Sequence, residues 1–135
     1  MTERSERLRV LVVDDEDDVR LLLRLQLEAH GHTVTAEAAD GQAALDLCRA
    51  DPPDAVILDL LMPRMSGFEV IPKMRTEFTN VAIVAYTAVA GDFVRNEMRR
   101  LHVPLVLKTA NFAPLDVALH AAVADLRDRS AGPAR

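Results

Sequence analysis

The sequence has few of the features that mark extracellular, membrane or nucleic-acid-binding proteins. It has one cysteine, Cys48, so no disulfide can form within the chain, which fits a reducing compartment. No apolar run approaches the roughly 20 residues that span a bilayer. Residues 1–9 are charged and lack the apolar core of a signal peptide. The formal charge of −5 argues against nucleic acid as a direct partner, because phosphate backbones require a basic face. We therefore predict a cytoplasmic protein that binds neither nucleic acid nor membrane.

The remaining composition is that of an ordinary globular domain, with 135 residues, of which 50% are hydrophobic and 27% charged. A chain of this length buries a core without disulfides or structural metals. Residues 9–128 are predicted to form a single domain. Residues 1–8 are an N-terminal extension, and residues 129–135 are a short tail of mostly small residues. We find no repeat, linker or second domain.

Five short, largely apolar runs alternate with helical patterns along the chain. Continuous apolar runs of this length are typical of strands buried on both faces. The runs are Arg9–Val13, His32–Ala38, Ala55–Leu58, Val81–Tyr86 and Leu105–Leu107. The second run alternates apolar and polar residues, which is typical of an edge strand. Helices are predicted at Asp17–His30, Asp40–Ala50, Ser66–Glu77, Asp92–Leu101 and Pro114–Arg127. This pattern predicts an α/β fold, a doubly wound parallel sheet with helices on both faces.

Polar side chains follow four of the predicted strands, at the point where each strand ends. They are Asp14 and Asp15 after the first, Asp59 after the third, Thr87 after the fourth and Lys108 after the fifth. Because the carboxyl ends of parallel strands meet at one edge of a sheet, we expect these side chains to converge there.

The chemistry of this set indicates a site for a phosphoryl group. Three neighbouring carboxylates repel one another unless a cation joins them, and oxygen ligands without His or Cys select a hard metal such as Mg²⁺. Lys108 then supplies a positive charge and Thr87 a hydroxyl donor to phosphoryl oxygens. Asp59 can attack phosphorus without a general base, because aspartate is already ionised at neutral pH.

The sequence resembles a response-regulator receiver domain of two-component signalling, of the single-domain type without a fused output module. The matching motifs are Val12–Glu16, Asp59–Gly67, Thr87–Ala88 and Lys108, in the family's order and at its strand ends. The resemblance covers nearly the whole chain. It implies a flavodoxin-like fold, a (βα)5 sheet with strand order 2-1-3-4-5.

The resemblance also implies a role for each site residue, with Asp59 as the phosphoacceptor. The implied Mg²⁺ ligands are Asp14, Asp15, Asp59 and the backbone carbonyl of Leu61. The implied phosphoryl-binding and switch residues are Thr87, Ala88 and Lys108. The implied phosphoryl donor is a histidine kinase or a histidine phosphotransfer protein. Such a domain is a regulator that catalyses only its own Mg²⁺-dependent phosphorylation and dephosphorylation.

Two positions depart from the family pattern. The family usually has proline after the lysine, whereas Thr109 follows Lys108, so we predict a trans bond there. The family also usually has tyrosine or phenylalanine three residues before the lysine, and here that position is Leu105. Tyr86 is not expected to substitute, because alternation along the strand points it away from the site. The aromatic half of the usual switch is therefore missing.

Other residues carry weaker predictions. Leu61 and Val89, each two positions after a site residue, are apolar and are expected to hinder a hydrolytic water, which predicts slow loss of the phosphoryl group. Cys48 is interpreted as helix packing. The histidines show no ligand spacing and are interpreted as surface or helix-end residues; they are His30, His32, His102 and His120.

Three functions remain open. In the first, phosphorylation draws Thr87 and Lys108 inward and changes the affinity for an output protein that the sequence does not identify. The second is a phosphorylation-independent protein-interaction module on a receiver scaffold. The third is a Mg²⁺-dependent phosphohydrolase, which is disfavoured because Leu61 stands where a second acid is needed. The surface from Asp92 to Arg127 is predicted to contact partners, including a weak homodimer through the fourth helix, fifth strand and fifth helix.

Overall fold

A computed structural model of the chain describes residues 6–88, 90–109 and 111–131. In these ranges strands and helices alternate five times, as the sequence pattern predicts. The strands are β1 Arg9–Val13, β2 Thr33–Ala38, β3 Ala55–Leu58, β4 Ala82–Thr87 and β5 Leu105–Leu107. The helices are α1 Asp17–Ala29, α2 Gly41–Ala50, α3 Gly67–Glu77, α4 Asp92–Arg100 and α5 Ala113–Ala131. Helix α5 is longer than predicted at both ends. No helix in the described ranges is long and apolar enough to cross a membrane.

The five strands form one parallel sheet in the order β2-β1-β3-β4-β5, which confirms the predicted fold class. The alternating strand β2 lies at one edge of this sheet. Strand β1 pairs with β3 so that Val13 lies opposite Leu58, and β4 pairs with β5 so that Thr87 lies opposite Leu107. These registers bring the carboxyl ends of β1, β3, β4 and β5 to the same edge.

The sheet separates two cores. Alternate residues of each strand point to opposite faces, so Leu11 and Val13 pack towards α2, α3 and α4, whereas Val10 and Val12 pack towards α1 and α5. Each fully buried aliphatic side chain contributes about 1.5–3 kcal/mol relative to its exposed state. Cys48 is fully buried in the core beneath α2, α3 and α4, which agrees with its interpretation as a helix-packing residue.

Local sequence signals place the helices at the expected positions. Asp40 caps α2, since its carboxylate accepts a hydrogen bond from the Ala43 backbone N–H at 2.9 Å. At the start of α3, the Glu69 carboxylate accepts the Ser66 backbone N–H at 3.0 Å. Gly31 ends the α1 turn with a φ of 90°, which residues with a side chain rarely adopt.

Candidate functional site

The backbone holds Asp14 and Asp59 rigidly beyond the ends of their strands. The Asp14 backbone N–H donates to the Ala38 carbonyl at 3.0 Å, and the Asp59 N–H donates to the Val13 carbonyl at 2.9 Å. These bonds extend the sheet ladder by one residue past β1 and β3. Both residues are buried, at 1% and 4% exposure. Two acidic side chains are thus fixed side by side at the sheet edge.

Asp15 joins these two residues to form a cluster of carboxylates. Asp14, Asp15 and Asp59 each offer one carboxylate oxygen, and these oxygens lie within 4.8 Å of one another. Asp15 is exposed, so the cluster opens to solvent on its side. An all-oxygen set with two buried carboxylates fits a hard divalent cation such as Mg²⁺, which keeps some of its waters.

Lys108 supplies the positive charge next to this cluster. Its Nζ lies 2.7 Å from Asp14 Oδ2 and 3.3 Å from Asp59 Oδ2. Its backbone N–H donates to the Thr87 carbonyl at 2.8 Å, which ties the end of β5 to the end of β4. Burial acts to lower the pKa of Lys108, but the hydrogen bond and charge of Asp14 and the charge of Asp59 raise it overall. The ammonium therefore stays charged at neutral pH.

The pKa of Asp59 is raised, and burial is the largest cause. The Asp14 charge raises it further, whereas the Leu61 backbone N–H, which donates to Asp59 Oδ1 at 3.1 Å, and the Lys108 ammonium both lower it. A raised pKa moves the ionisation of the Asp59 carboxylate, which attacks phosphorus in its ionised form, to higher pH. A divalent cation at the carboxylates favours the ionised form and reverses this effect.

Arg20 supports the site, and the sequence reasoning missed it. Its Nη1 donates to the Asp14 backbone carbonyl at 2.6 Å, and its Nε donates to Glu37 at 3.2 Å. The Asp14 Oδ1 also accepts the Glu16 backbone N–H at 2.9 Å. These contacts fix the acidic loop against α1 and β2. An arginine one turn into the helix that follows an acidic loop is the signal that points to this role.

Gly67 allows α3 to approach the acceptor strand closely. A Cβ at this position would lie 2.8 Å from both the Asp59 carbonyl oxygen and the Leu60 Cα. Its backbone N–H donates to the Leu60 carbonyl at 3.0 Å. The glycine in the predicted motif therefore has a steric reason, since a side chain would displace the backbone that carries Asp59.

The remaining predicted residues lie at the ends of β4 and β5. Thr87 is fully buried, and Ala88 is exposed in the bend that follows it. Leu105 is half-buried and packs against the core beneath α4. The described residues contain no cis peptide bond, so the predicted trans bond between Lys108 and Thr109 is confirmed.

The structure describes one of the two apolar residues that are predicted to hinder a hydrolytic water. Leu61 is 57% exposed next to Asp59, so it stands at the solvent side of the acceptor. Val89 lies outside the described residues.

Tyr86 points away from the α4 side of the sheet, as alternation predicts. It nevertheless lies close to the site. It packs in the core beneath α1 and α5, and its ring centroid lies 6.0 Å from Lys108 Nζ. The lysine side chain reaches the carboxylates across this ring. The expectation that Tyr86 stands apart from the site overlooked the length of Lys108.

The interpretation of His32 as a surface or helix-end residue was wrong. It is buried, its Nδ1 accepts the Leu8 backbone N–H at 3.0 Å, and its Nε2 lies 2.8 Å from Asp116 Oδ1. His120 Nε2 lies 3.4 Å from the same oxygen. Because Nδ1 accepts a hydrogen bond, the neutral ring carries its proton on Nε2 and donates it to Asp116. That proton occupies the position a metal would need, so His32 and Asp116 form a hydrogen-bonded pair rather than a metal site, and His120 lies beside them without a hydrogen bond of its own at Nε2 in the described residues.

Comparison with known proteins agrees with this geometry. The family model described as "Response regulator receiver domain" matches residues 10–119. Response regulator MprA from Mycolicibacterium vanbaalenii is 46% identical over 81 residues, which cover 60% of this chain and 35% of that protein. MprA from Mycobacterium avium is 43% identical over 81 residues, with the same coverage of 60% and 35%. The chain thus matches about a third of the length of these curated relatives.

Two solved structures show the same fold. A two-component response regulator of the LuxR family from Aurantimonas sp. SI85-9A1 aligns with a TM-score of 0.82 and 30% identity, covering 89% of this chain and 87% of that one. Response regulator TrrA from Thermotoga maritima, solved in complex with Mg²⁺-BeF, aligns with a TM-score of 0.76 and 32% identity, covering 84% and 97%. With its strand order and the match over residues 10–119, this chain belongs to the response regulator receiver domain family.

Proposed function

We propose that this domain accepts a phosphoryl group on Asp59, with Mg²⁺ at the neighbouring carboxylates, and that acceptance changes its affinity for another protein. The observation that supports this most is the setting of the Asp59 carboxylate. It lies within 4.8 Å of oxygens from Asp14 and Asp15, and 3.3 Å from the Lys108 ammonium. A nucleophilic oxygen beside a cation site and a lysine is the arrangement that phosphoryl transfer requires.

In the transfer, a carboxylate oxygen of Asp59 attacks phosphorus as the bond from phosphorus to the donor breaks. With a phosphohistidine donor, the bond electrons return to the imidazole nitrogen, which takes up a proton from solvent. No base is needed at Asp59, because the carboxylate attacks in its ionised form. The product is an acyl phosphate on Asp59.

The residues that would hold Mg²⁺ are Asp14, Asp15, Asp59 and the backbone carbonyl of Leu61. Mg²⁺ neutralises charge on the phosphoryl oxygens when bound. The buried pair of carboxylates at the ends of β1 and β3 supports this assignment. So does the Mg²⁺-BeF complex of the related TrrA, which is 32% identical to this chain.

Lys108 and Thr87 are proposed to hold the transferred group. In the structure Lys108 neutralises Asp14 at 2.7 Å, so it acts in place of a metal cation. With a divalent cation held at Asp14, the Lys108 ammonium would no longer be needed there and would be able to contact a phosphoryl oxygen. The Thr87 hydroxyl and the Ala88 backbone N–H are the proposed donors to the other oxygens. This movement at the ends of β4 and β5 is what a partner would detect.

A histidine kinase or histidine phosphotransfer protein is the proposed donor, and the output partner is proposed to contact the surface of α4, β5 and α5. Three large apolar side chains are exposed on those elements, namely Phe93, Leu107 and Val117. Exposed apolar groups of this kind favour protein contacts. A weak homodimer through the same surface is the simplest form of such a contact.

A small-molecule phosphodonor tests the proposal directly. Acetyl phosphate with Mg²⁺ should add one phosphoryl group, seen by intact mass, and chelation of Mg²⁺ should prevent the addition. Asp59→Asn should abolish it, while Asp128→Asn, which alters an exposed carboxylate on α5, should leave it unchanged. Undiminished labelling of Asp59→Asn would exclude Asp59 as the acceptor. A phosphorylated domain whose partner binding is unaltered would favour the phosphorylation-independent interaction module instead.

A further inference from the structure

Tyr86 lies beside the acceptor site without contacting the carboxylates. It is the penultimate residue of β4, beside Thr87, and pairs with Val106 of β5. Its side chain is 7% exposed and packs in the core beneath α1 and α5. A buried phenol at a strand end needs a hydrogen-bond partner for its hydroxyl.

The first contact of Tyr86 is with Lys108. The ammonium lies 6.0 Å from the ring centroid, at the limit of the range in which a cation is attracted to an aromatic face. Both residues line a groove of about 350 Å³, whose other walls are Val19, Leu22, Leu23 and Thr109. The groove gives the lysine side chain an apolar wall on one side and the carboxylates on the other. Tyr86 therefore limits the positions that the ammonium can take.

Tyr86 also lies beside the backbone after the lysine, since Thr109 lines the same groove. Burial raises the pKa of the Tyr86 hydroxyl, the Lys108 charge lowers it, the Asp14 charge raises it and the nearby Thr109 backbone amide lowers it. Threonine supplies this N–H, whereas proline at the same position has none. The phenol thus lies near the lysine on one side and near the residue that follows it on the other.

We infer that Tyr86 is a positioning residue for Lys108, with its ring directing the ammonium towards the carboxylates. This inference rests on the proposed function, because it assigns Lys108 a role at the phosphoryl group. When Lys108 shifts from Asp14 to that group, the charge beside the ring moves and the Thr109 contact changes. Tyr86 then responds to the change at the phosphoryl group. Leu105, at the position where the family usually has an aromatic residue, has no ring that could do so.

The chain is well suited to a spectroscopic test, since it contains one tyrosine and no tryptophan. All tyrosine fluorescence therefore comes from Tyr86. Addition of Mg²⁺ with beryllofluoride, a phosphoryl mimic, should change this fluorescence in a saturable way. Mg²⁺ alone at matched ionic strength should give only a smaller change, because it releases Lys108 from Asp14 but supplies no phosphoryl oxygen. The further change with beryllofluoride should be absent in Asp59→Asn. Unchanged fluorescence in a sample that intact mass shows to accept phosphoryl groups overturns the inference.

Kinetics of two variants test positioning against simple packing. Tyr86→Leu should slow phosphorylation by acetyl phosphate about fivefold, because the lysine loses its aromatic wall. Tyr86→Phe keeps the ring and should restore the rate to within about twofold. Leu119→Ala, which opens the same core away from Lys108, serves as the control for lost packing. All rates are compared at a temperature at which circular dichroism shows each variant folded.

The outcomes separate this inference from the proposed function. If the wild-type chain accepts no phosphoryl group, the proposed function fails and the inference fails with it. If the wild-type chain is phosphorylated but Tyr86→Leu reacts at the wild-type rate, only the inference fails. Slowing in Leu119→Ala equal to that in Tyr86→Leu would also overturn it, because packing alone would then explain the loss.

Discussion

The two halves of the sheet edge are built differently. At the ends of β1 and β3, backbone hydrogen bonds, Arg20 and the close packing of Gly67 fix Asp14 and Asp59 in place. At the ends of β4 and β5, one backbone bond joins Lys108 to Thr87, and Lys108 lies 6.0 Å from the ring centroid of Tyr86. We call the first pair of strand ends the acceptor half and the second the reporting half, after their proposed roles. The acceptor half follows the family pattern closely, whereas the reporting half departs from it. We therefore expect acceptance of a phosphoryl group and its reporting to be separable within one fold.

Lys108 connects the two halves, so removing its charge should have the largest effect on stability. Lys108→Met leaves two buried carboxylates without their cation, which we expect to lower the free energy of unfolding by about 3 kcal/mol. Mg²⁺ should restore much of this loss, because it supplies the missing charge. Urea unfolding with and without Mg²⁺ measures both effects.

Lys73, the chain's other lysine, is exposed on α3 and provides the matched control as Lys73→Met. The pKa of Lys108 is raised above its usual value of 10.5, so its contribution is complete at neutral pH. The contribution declines only as the pH rises through the folded pKa. A Lys108→Met variant as stable as Lys73→Met at pH 7 would contradict the role of the lysine as a resident counter-ion.

A substitution of Gly67 tests how rigidly the acceptor half holds the backbone of Asp59. In Gly67→Ala the new methyl group meets backbone atoms of Asp59 and Leu60 at 2.8 Å, so we expect a loss of about 2 kcal/mol and slower phosphorylation. Gly91→Ala is the control, because no heavy atom of the described residues is recorded within 4 Å of a Cβ at that position. Chemical denaturation and the rate of acetyl phosphate labelling report the two effects. Equal behaviour of the two alanine variants would show that the close approach at Gly67 is not needed.

The same contrast explains how far the sequence predicts the structure. The strands and the convergence of Asp14, Asp59 and Lys108 follow from apolar runs that end in polar residues, which is a local pattern. The strand order came instead from the resemblance to the receiver family. The roles of Arg20 and Tyr86 depend on side chains that reach across elements, and a single sequence carries no distance between them. Alternation correctly predicted the face of Tyr86, but it does not describe how far Lys108 extends over that ring.

The burial of His32 was missed for a related reason. It stands just before the edge strand β2, in a polar-looking stretch, and its partners come from residues distant in sequence. Leu8 is 24 positions away and Asp116 is 84 positions away. Long-range pairs of this kind follow from the packing of α5 against the sheet, which spacing along one segment cannot show.

A substitution of Leu61 tests whether the acceptor half also sets the lifetime of the acyl phosphate on Asp59. It is 57% exposed beside Asp59, where an apolar side chain cannot orient a hydrolytic water. We expect the acyl phosphate to be long-lived, and Leu61→Glu to shorten its lifetime about tenfold by supplying a polar group. Leu25→Glu, at an exposed leucine of α1, is the control. A wild-type lifetime of seconds, or an unchanged lifetime in Leu61→Glu, would show that Leu61 does not protect the product.

Substitution of Thr109 should have the smallest effect on stability, and it is the most selective test of the reporting half. Thr109→Pro removes the backbone N–H that lies near the Tyr86 hydroxyl, so the free energy of unfolding should fall by only about 1 kcal/mol. The Lys108 ammonium keeps its contacts with Asp14 and Asp59, and phosphorylation of Asp59 should continue. The response of Tyr86 fluorescence to Mg²⁺ and beryllofluoride should shrink, because the phenol loses the amide beside it in the loop after the lysine. Loss of phosphorylation together with the fluorescence response would mean that acceptance and reporting cannot be separated at this position.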